Sequence, residues 1–501
     1  MRSKRTFLQI LHRWPGLLVA LFLLLIATSG IIMNHRSLFS PIDVSRKLLP
    51  KEYHYKNWNN AALKGNVLLD NNSILVYGNI GVWLTDSTFQ NYESLNAGFG
   101  KGVDNRKISD VLYSSNGNLY ATTQFGLYAF NSSTRSWQQL RTNQKRERFV
   151  ALEEKNDSIY ALSRSLLYIS SDKGMHATFK AHLIKAPASY DGKVSLFKTI
   201  WLIHSGELFG IIGKLIVDLL GVITIILSVT GIIYFFFPSW IKRRRQKQKN
   251  YEHLGKMNRF SLRWHNKIGA WTFLLLVLCY FTGMFLRPPL LLAIVNSKVA
   301  APKYTLLDTS NAWYDKLRDL VYDEKEQQFI ISTYDGMYLM NPNNLSVERC
   351  KYQPPVSVMG INCFTEFQDG TYIVGSFSGL FLWNPNVPTI VNYVTGSPYH
   401  EQFGGRPIGD VKISGLIINP SGYPFLVDYD NGIFPLHHQH RFPPMPEEIK
   451  NQGISLWNFA LELHTLRIFN ALIGSFYILL IPLVGLCSIM VLISGYFYWR
   501  K

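Results

Sequence analysis

Of 501 residues only four are cysteine, 17% are charged, and acidic residues (33) are outnumbered by basic ones (51). So few cysteines exclude a disulfide-stapled scaffold, and so little charge excludes an ordinary soluble protein of this length. No dinucleotide-binding glycine motif precedes a helix on the side read below as cytoplasmic, so hydride cannot come directly from a nicotinamide. The one glycine-rich stretch, GFGKG (98–102), falls in a loop outside the membrane. The basic excess, +18, is no nucleic-acid signature either, because its longest run is short and flanks a membrane helix.

What is present is apolar: 47% hydrophobic, 14% aromatic. Four stretches have the roughly 20 apolar residues a bilayer crossing needs, around 14–33, 208–237, 268–291 and 468–498. The first has too long an apolar core, and no A-x-A site, for a cleaved signal. Arg2, Lys4 and Arg5 precede it, KRRRQKQK (242–249) follows the second, and Arg500 and Lys501 follow the fourth. With alternating helices these lie on one side, which the positive-inside rule makes cytoplasmic. The expected divisions are helix one (1–36), an outer loop (37–203), helix two (204–240), a basic inner loop (241–262), helix three (263–292), a second outer loop (293–462) and helix four (463–501). Cys279 and Cys487 read as packing residues within helices; Cys350 and Cys363 lie in an outer loop, where a disulfide is open to them in an oxidising compartment.

The chain repeats itself. His12, Gly16 and Ser29-Gly30 in helix one match His265, Gly269 and Thr282-Gly283 in helix three, spacing for spacing. Leu220-Gly221 and Thr230-Gly231 match Val484-Gly485 and Ser494-Gly495. His204 and His464 stand before helices two and four, with four extra residues, about one helical turn, after His464. Two parallel helix–loop–helix units related by a pseudo-two-fold axis along the membrane normal follow.

The loops repeat as well. SILVYGNIGVWLTD (73–86), GNLYATTQFGLYAFN (117–131) and SIYALSRSLLYISSD (158–172) in loop one resemble QFIISTYDGMYLMN (328–341), TYIVGSFSGLFLWN (371–384) and YPFLVDYDNGIFPL (423–436) in loop two. Alternating apolar residues about a turn predict antiparallel hairpins. A period of about 40–50 residues is that of a propeller blade, so three units per loop predict one six-bladed β-propeller built from both loops. Leu166 stands where the other repeats have glycine, which makes the third blade the weakest repeat. Two separate β-sandwiches are the plainer alternative.

Each histidine near a helix end, taken singly, reads equally well as an interfacial anchor. As pairs they read differently. A two-fold axis brings His12 and His265 to one depth at the inner edge, and His204 and His464 to one depth at the outer edge. Opposed imidazoles suit haem iron, which takes one axial ligand on each face. The expectation is two b-type haems, with Gly231 and Gly495 giving flat surfaces to the inner porphyrin and Gly30 and Gly283 to the outer. Ordinary small-residue helix contacts explain the glycines alone. Structural zinc wants four ligands, and each edge offers two. His35, whose repeat counterpart is Pro288, reads as a rim residue. His437, His438 and His440, in PLHHQH (435–440), are weak metal candidates in a loop.

LHRWPGLL…TSG, IHSGELFG…TG and WHNKIGAW…TG resemble the bacterial PepSY-associated transmembrane family, also described as iron-regulated inner-membrane proteins. The resemblance covers the four helices. It implies a haem-bearing bundle like those of ferric-siderophore reductases, passing electrons outward. LHTLRIFN departs from it by lacking glycines after His464, and blade-like loops stand where the family carries small α/β domains. The expected function is therefore an inner-membrane di-haem conduit reducing a periplasmic acceptor, ferric iron or a ferric-siderophore chelate. A quinol in the bilayer or a cytoplasmic flavin reductase would supply the electrons. The rival readings are a propeller sensor or interaction protein anchored by the helices and facing a periplasmic partner, and a haem- or iron-handling protein without redox turnover.

Overall fold

The computed structural model describes residues 2–70, 72–142, 147–357, 360–368, 370–400 and 409–500, with side chains from Phe7 onward. Lys501 and the side chains of Arg2, Lys4 and Arg5 thus lie outside the described residues. Two compact units separate: residues 1–39, 191–308 and 456–501 form one, residues 40–190 and 309–455 the other. Segments 191–203 and 293–308, expected in the outer loops, belong with the helices.

The helical unit contains α1 (Arg2–Asn34), α2 (Leu196–Ser205), α3 (Gly210–Gln246), α4 (Glu252–Met284), α5 (Leu456–His464) and α6 (Leu480–Arg500). Helical segments around α1, α3, α4 and α6 are long and apolar enough to cross a membrane. The basic stretch expected as a loop is mostly helical, because α3 continues through Lys242–Gln246 and α4 begins at Glu252. Burial is the reverse of a soluble bundle. Ala20, Ala27, Ser29, Thr224, Ser228, Thr282, Ser488 and Ser494 are buried, whereas Leu18, Leu21, Ile211, Leu215 and Leu274 are exposed. Small and hydroxyl residues let helices approach closely where hydrocarbon, not water, bathes the outside. Contacts run α1–α3–α4–α6–α1, so α1 stands diagonal to α4. A short antiparallel pair, Lys193–Ser195 with Lys298–Ala300, joins the chain entering α2 to the chain leaving α4.

The second unit is all β. Six antiparallel sheets follow one another, opened by β1 (Gly65–Leu68), β2 (Ile108–Tyr113), β3 (Phe149–Lys155), β4 (Leu317–Asp323), β5 (Ile361–Gln368) and β6 (Ile413–Ile418). The first five sheets have four strands each and the sixth has three. Every hairpin repeat predicted from the sequence forms the two strands that follow the opening one. The third sheet, weakest in sequence, is complete. Gly81, Gly336, Gly379 and Gly432 take positive φ at the start of their strands, whereas Gly126 and Leu166 do not. Leucine is tolerated there because that turn makes no demand a Cβ would violate.

Each apolar core lies between consecutive sheets. Leu75 and Val82 pack with Ile108 and Ala121, Tyr120 and Leu127 with Phe149 and Tyr168, and Ala151 and Leu162 with Leu317 and Phe329. Met337 and Cys350 pack with Tyr372 and Trp383, and Cys363 and Leu380 with Ile413 and Leu426. The sixth sheet shares a core with the first, through Ile417, Phe425 and Val427 against Ile74, Val76 and Trp83. Cys350 and Cys363 are free and buried in different cores.

Opening strands are also tied by polar contacts. Asp110 accepts hydrogen bonds from Val111 N and Leu152 N, both at 2.8 Å, and from Tyr77 Oη at 3.1 Å. Glu153 accepts from Tyr322 N at 3.2 Å, and Asn66 exchanges two bonds with the Ile418 backbone at 2.7 and 2.9 Å. Burial pushes Asp110 up to about 6, Glu153 up to about 7 and Asp319 well above the usual carboxyl range, Asp319 also through its neighbour Asp110. Lys64 is held down to about 8, first by burial and then by Arg148 and Lys107, so it stays charged at neutral pH.

A carboxyl whose pKa is higher folded than unfolded supports the fold while protonated, and that support is lost as pH rises through the folded value. The melting temperature of the β unit should therefore fall by several degrees between about pH 5 and about pH 8. Asp319→Asn should flatten the dependence; a circular-dichroism melt that is level over this range in the unaltered protein would contradict the assignment.

Candidate functional site

Each ligand candidate owes its position to local chain geometry. Ser195 caps α2 by accepting from Lys198 N, and α2 ends at His204–Ser205 because Gly206 turns left-handed at φ 77°. A 3-10 turn (Glu207–Phe209) and a second left-handed residue, Gly210 at φ 63°, then re-aim the chain into α3. The other repeat does the same with different residues. α5 ends at His464, Leu466 takes the left-handed place of Gly206 at φ 53°, and Arg467–Phe469 forms the 3-10 turn. The four extra residues are the single helical turn Asn470–Ile473, after which Gly474, at φ 55°, takes the place of Gly210. The missing glycine therefore leaves His464 in register. Trp457 fastens α5 to α1 by donating from Nε1 to Met33 O at 2.9 Å.

The structure brings together the pairs expected from the repeat. Ring centres of His12 and His265 are 6.0 Å apart, and those of His204 and His464 are 6.1 Å apart. All four rings are partly buried. The His12 Nδ1 lies 2.9 Å from Val491 O, the His204 Nδ1 3.0 Å from Cys279 O and the His464 Nδ1 2.9 Å from Ile26 O. The Leu227 carbonyl plays the same part for His265. Each of these carbonyls lies four residues before one of the glycines Gly495, Gly283, Gly30 and Gly231. A carbonyl has two lone pairs, one for its own helix and one to spare. Because a carbonyl only accepts, each imidazole must carry its proton on Nδ1, which leaves Nε2 as a lone pair.

The residue before the glycine completes the cradle. Thr230 Oγ1 lies 3.0 Å from His265 Nδ1, Thr282 Oγ1 3.3 Å from His204 Nδ1 and Ser29 Oγ 3.4 Å from His464 Nδ1. Those hydroxyls also bond back to their own helices, as Ser29 does to Leu25 O at 2.6 Å. The glycines were expected to face porphyrin; the contacts they make are with imidazole edges. A Cβ at Gly495, Gly283, Gly30 or Gly231 would lie 2.6, 2.8, 3.0 or 3.3 Å from Cε1 of His12, His204, His464 or His265 respectively. Their depths nevertheless agree with the expectation, since each glycine sits level with the histidine pair assigned to it.

A fit for haem can be judged from these distances. Ring centres about 6 Å apart would leave room for one metal ion bonded to a nitrogen of each imidazole, at lengths like the roughly 2.0 Å of zinc–imidazole bonds. Nδ1 donating to a carbonyl is the supporting bond that metal-ligating histidines make. The donor sets fit. Among the described residues no group of three or more His, Cys, Asp or Glu could hold a metal ion. His437 Nε2 lies 2.5 Å from Tyr393 O and His438 Nε2 2.8 Å from Pro424 O, so those rings are engaged with backbone. His35 is the rim residue expected, but its partner was missed: Asp218 Oδ2 lies 2.8 Å from Nε2, and Asn34 donates to Asp218 Oδ1 at 2.9 Å. An aspartate eight residues into a membrane helix was itself the available signal.

Four bilayer-length helices in two repeats, carrying two partly buried histidine pairs, define a polytopic membrane protein with a β-rich domain. The sequence matches the model for the PepSY-associated TM region over residues 1–237 and 239–501, and the chain belongs to that family. No curated protein matches it. Among solved structures, the extracellular domain of a one-component system from B. thetaiotaomicron is similar at 11% identity and TM-score 0.35, covering 77% of this chain and 40% of that one. PorZ, a surface component of the type-IX secretion system of Porphyromonas gingivalis, is similar at 10% identity and TM-score 0.33, covering 75% and 38%. This chain thus spans about two-fifths of the length of either, and likenesses at such scores carry no argument about function.

Alanine at these glycines should reveal the cradles. Gly495→Ala must displace His12 and should cost about 1–3 kcal/mol, whereas Gly231→Ala, with 3.3 Å available, should cost less. Thermal unfolding in detergent measures the difference, and equal, negligible losses would show that the rings do not depend on the glycines.

Proposed function

We propose that the protein is an inner-membrane electron-transfer protein holding two b-type haems, one between His12 and His265 and one between His204 and His464. The observation that carries this reading is the pairing of the imidazoles. Four imidazoles, each with Nδ1 committed to a carbonyl, stand in two pairs with ring centres 6.0 and 6.1 Å apart, a spacing that would admit one metal ion between the rings of each pair. When bound, haem supplies a one-electron carrier. His12, His265, His204 and His464 would hold it, each ring oriented by its Nδ1 bond to a carbonyl of another helix. α1 carries the His12 ligand and, eighteen residues on, the Gly30 cradle of His464, a rise of about 27 Å. That approaches the roughly 30 Å hydrocarbon thickness, so two carriers at these depths divide one long transfer into shorter ones.

Orientation rests on Lys242, Arg243, Arg244 and Arg245, which by the positive-inside rule are cytoplasmic, and it makes the β unit periplasmic. We read that unit as a six-bladed propeller: six consecutive antiparallel sheets, with cores between neighbours and between the sixth and first, are what a closed ring requires. Ferric iron or a ferric-siderophore chelate is the acceptor favoured by the family resemblance. A quinol or a cytoplasmic flavin reductase is the donor this reading calls for, since no dinucleotide-binding glycine motif stands on the cytoplasmic side of the sequence given.

The purified protein should give two haems per chain in a pyridine haemochrome assay, and His12→Ala and His204→Ala should each remove or turn high-spin a different one. In proteoliposomes reduced anaerobically, ferric chelate added on the periplasmic face should reoxidise both. Two unaltered low-spin haems in both variants would refute the ligand assignment; haems that stay reduced with every chelate would refute the acceptor. Residues 309–455 expressed alone should fail to fold cooperatively, because half a ring exposes faces that the whole one buries.

A further inference from the structure

The two-fold repeat makes the two edges of the His204/His464 pair equivalent in backbone, and side chains make them unlike. Asn34 and Arg287 are counterparts, each four residues beyond its cradle glycine, Gly30 or Gly283. At the Asn34 edge stands Asp218, eight residues beyond Gly210, engaged by Asn34 at 2.9 Å and His35 at 2.8 Å. Eight residues beyond Gly474, the counterpart of Asp218 is Pro482. The Arg287 edge is therefore without that acid. Its other charges are Arg467 and Glu462, which hold each other in a two-pronged ion pair, Nε donating to Oε2 at 2.6 Å and Nη2 to Oε1.

Arg287 is half-buried and makes no hydrogen bond or ion pair through its guanidinium among the described residues. Its ionisable neighbours are Arg467, Glu462 and Tyr477, and it lies near His464. With Glu462 neutralised by Arg467, the edge has a surplus positive charge beside the imidazole pair. A cation in that setting is costly unless an anion meets it. Guanidinium is the side chain best matched to a carboxylate, through parallel N–H donors.

Resting on the di-haem reading, we propose that Arg287 binds the propionate carboxylates of the porphyrin between His204 and His464, and so determines which way round that porphyrin lies. At the Asp218 edge the cation Lys214, which donates to Asn34 O at 3.4 Å, is paired with Glu207 at 2.6 Å, so that edge lacks the surplus positive charge. The His12/His265 pair has no part in this.

The test follows haem loss from the full-length protein in detergent to an excess of apomyoglobin, for the unaltered protein and for Arg287→Gln. Loss from one of the two sites should speed up on the order of tenfold or more, the scale of a charge-assisted bond, with the other site unchanged. Loaded with haem dimethyl ester, which lacks the carboxylates, both proteins should release it alike. Equal haem release from the two proteins overturns the assignment, as does an Arg287→Gln effect of the same size on the ester. If Arg287→Gln does not assemble, haem and its ester are compared in the unaltered protein, where equal retention overturns it. A purified protein with no haem at all removes the di-haem reading instead.

Discussion

The hydrogen bond from an imidazole Nδ1 to a carbonyl one turn before a glycine is the constraint on which the helical unit depends. It occurs at Val491, Cys279 and Ile26, and at Leu227. Each instance needs three things at once: a carbonyl with a lone pair to spare, a glycine that leaves room for Cε1, and a small residue beside it. Those needs account for the Ser/Thr-Gly dipeptides better than helix packing alone does. They also set the order of the helices, because each histidine must lie against a helix other than its own.

Repetition then does the rest. Since each unit supplies two histidines and two cradles, one local solution used four times builds both pairs. The insertion Asn470–Ile473 shows how tolerant this is: one whole turn can be added after His464 because the left-handed residue and 3-10 turn that fix the histidine precede it. Symmetry is broken where chemistry asks for it. Asp218 faces Asn34 and His35 on one side, and Arg287 faces the Arg467–Glu462 pair on the other.

The β unit uses repetition differently. Its sheets differ in turn residues, as Leu166 shows beside Gly81 or Gly379, and in strand number, as the sixth shows. They agree in the apolar residues that each presents to both neighbours. Asp110, Glu153 and Asp319 depart from that agreement, being acids held among the opening strands where burial favours the protonated form.

Much of this was legible from spacing alone. Apolar length marks the four membrane helices, period-two alternation about a turn marks the six hairpins, equal intervals mark His12 with His265, and intervals equal but for one helical turn mark His204 with His464. Such signals are local or periodic, so a linear reading recovers them. Other features depend on which distant residues meet. That Gly495 makes room for His12, across 483 positions, that Leu466 adopts a conformation usual for glycine, and that Arg287 stands beside the Arg467–Glu462 pair have no signature in spacing. The sequence by itself determined the elements, their repeat and the depth of each histidine. Tertiary structure alone decided the proton on each imidazole and the charge at each edge, because both are set by side chains and carbonyls that the fold, not the chain order, makes neighbours.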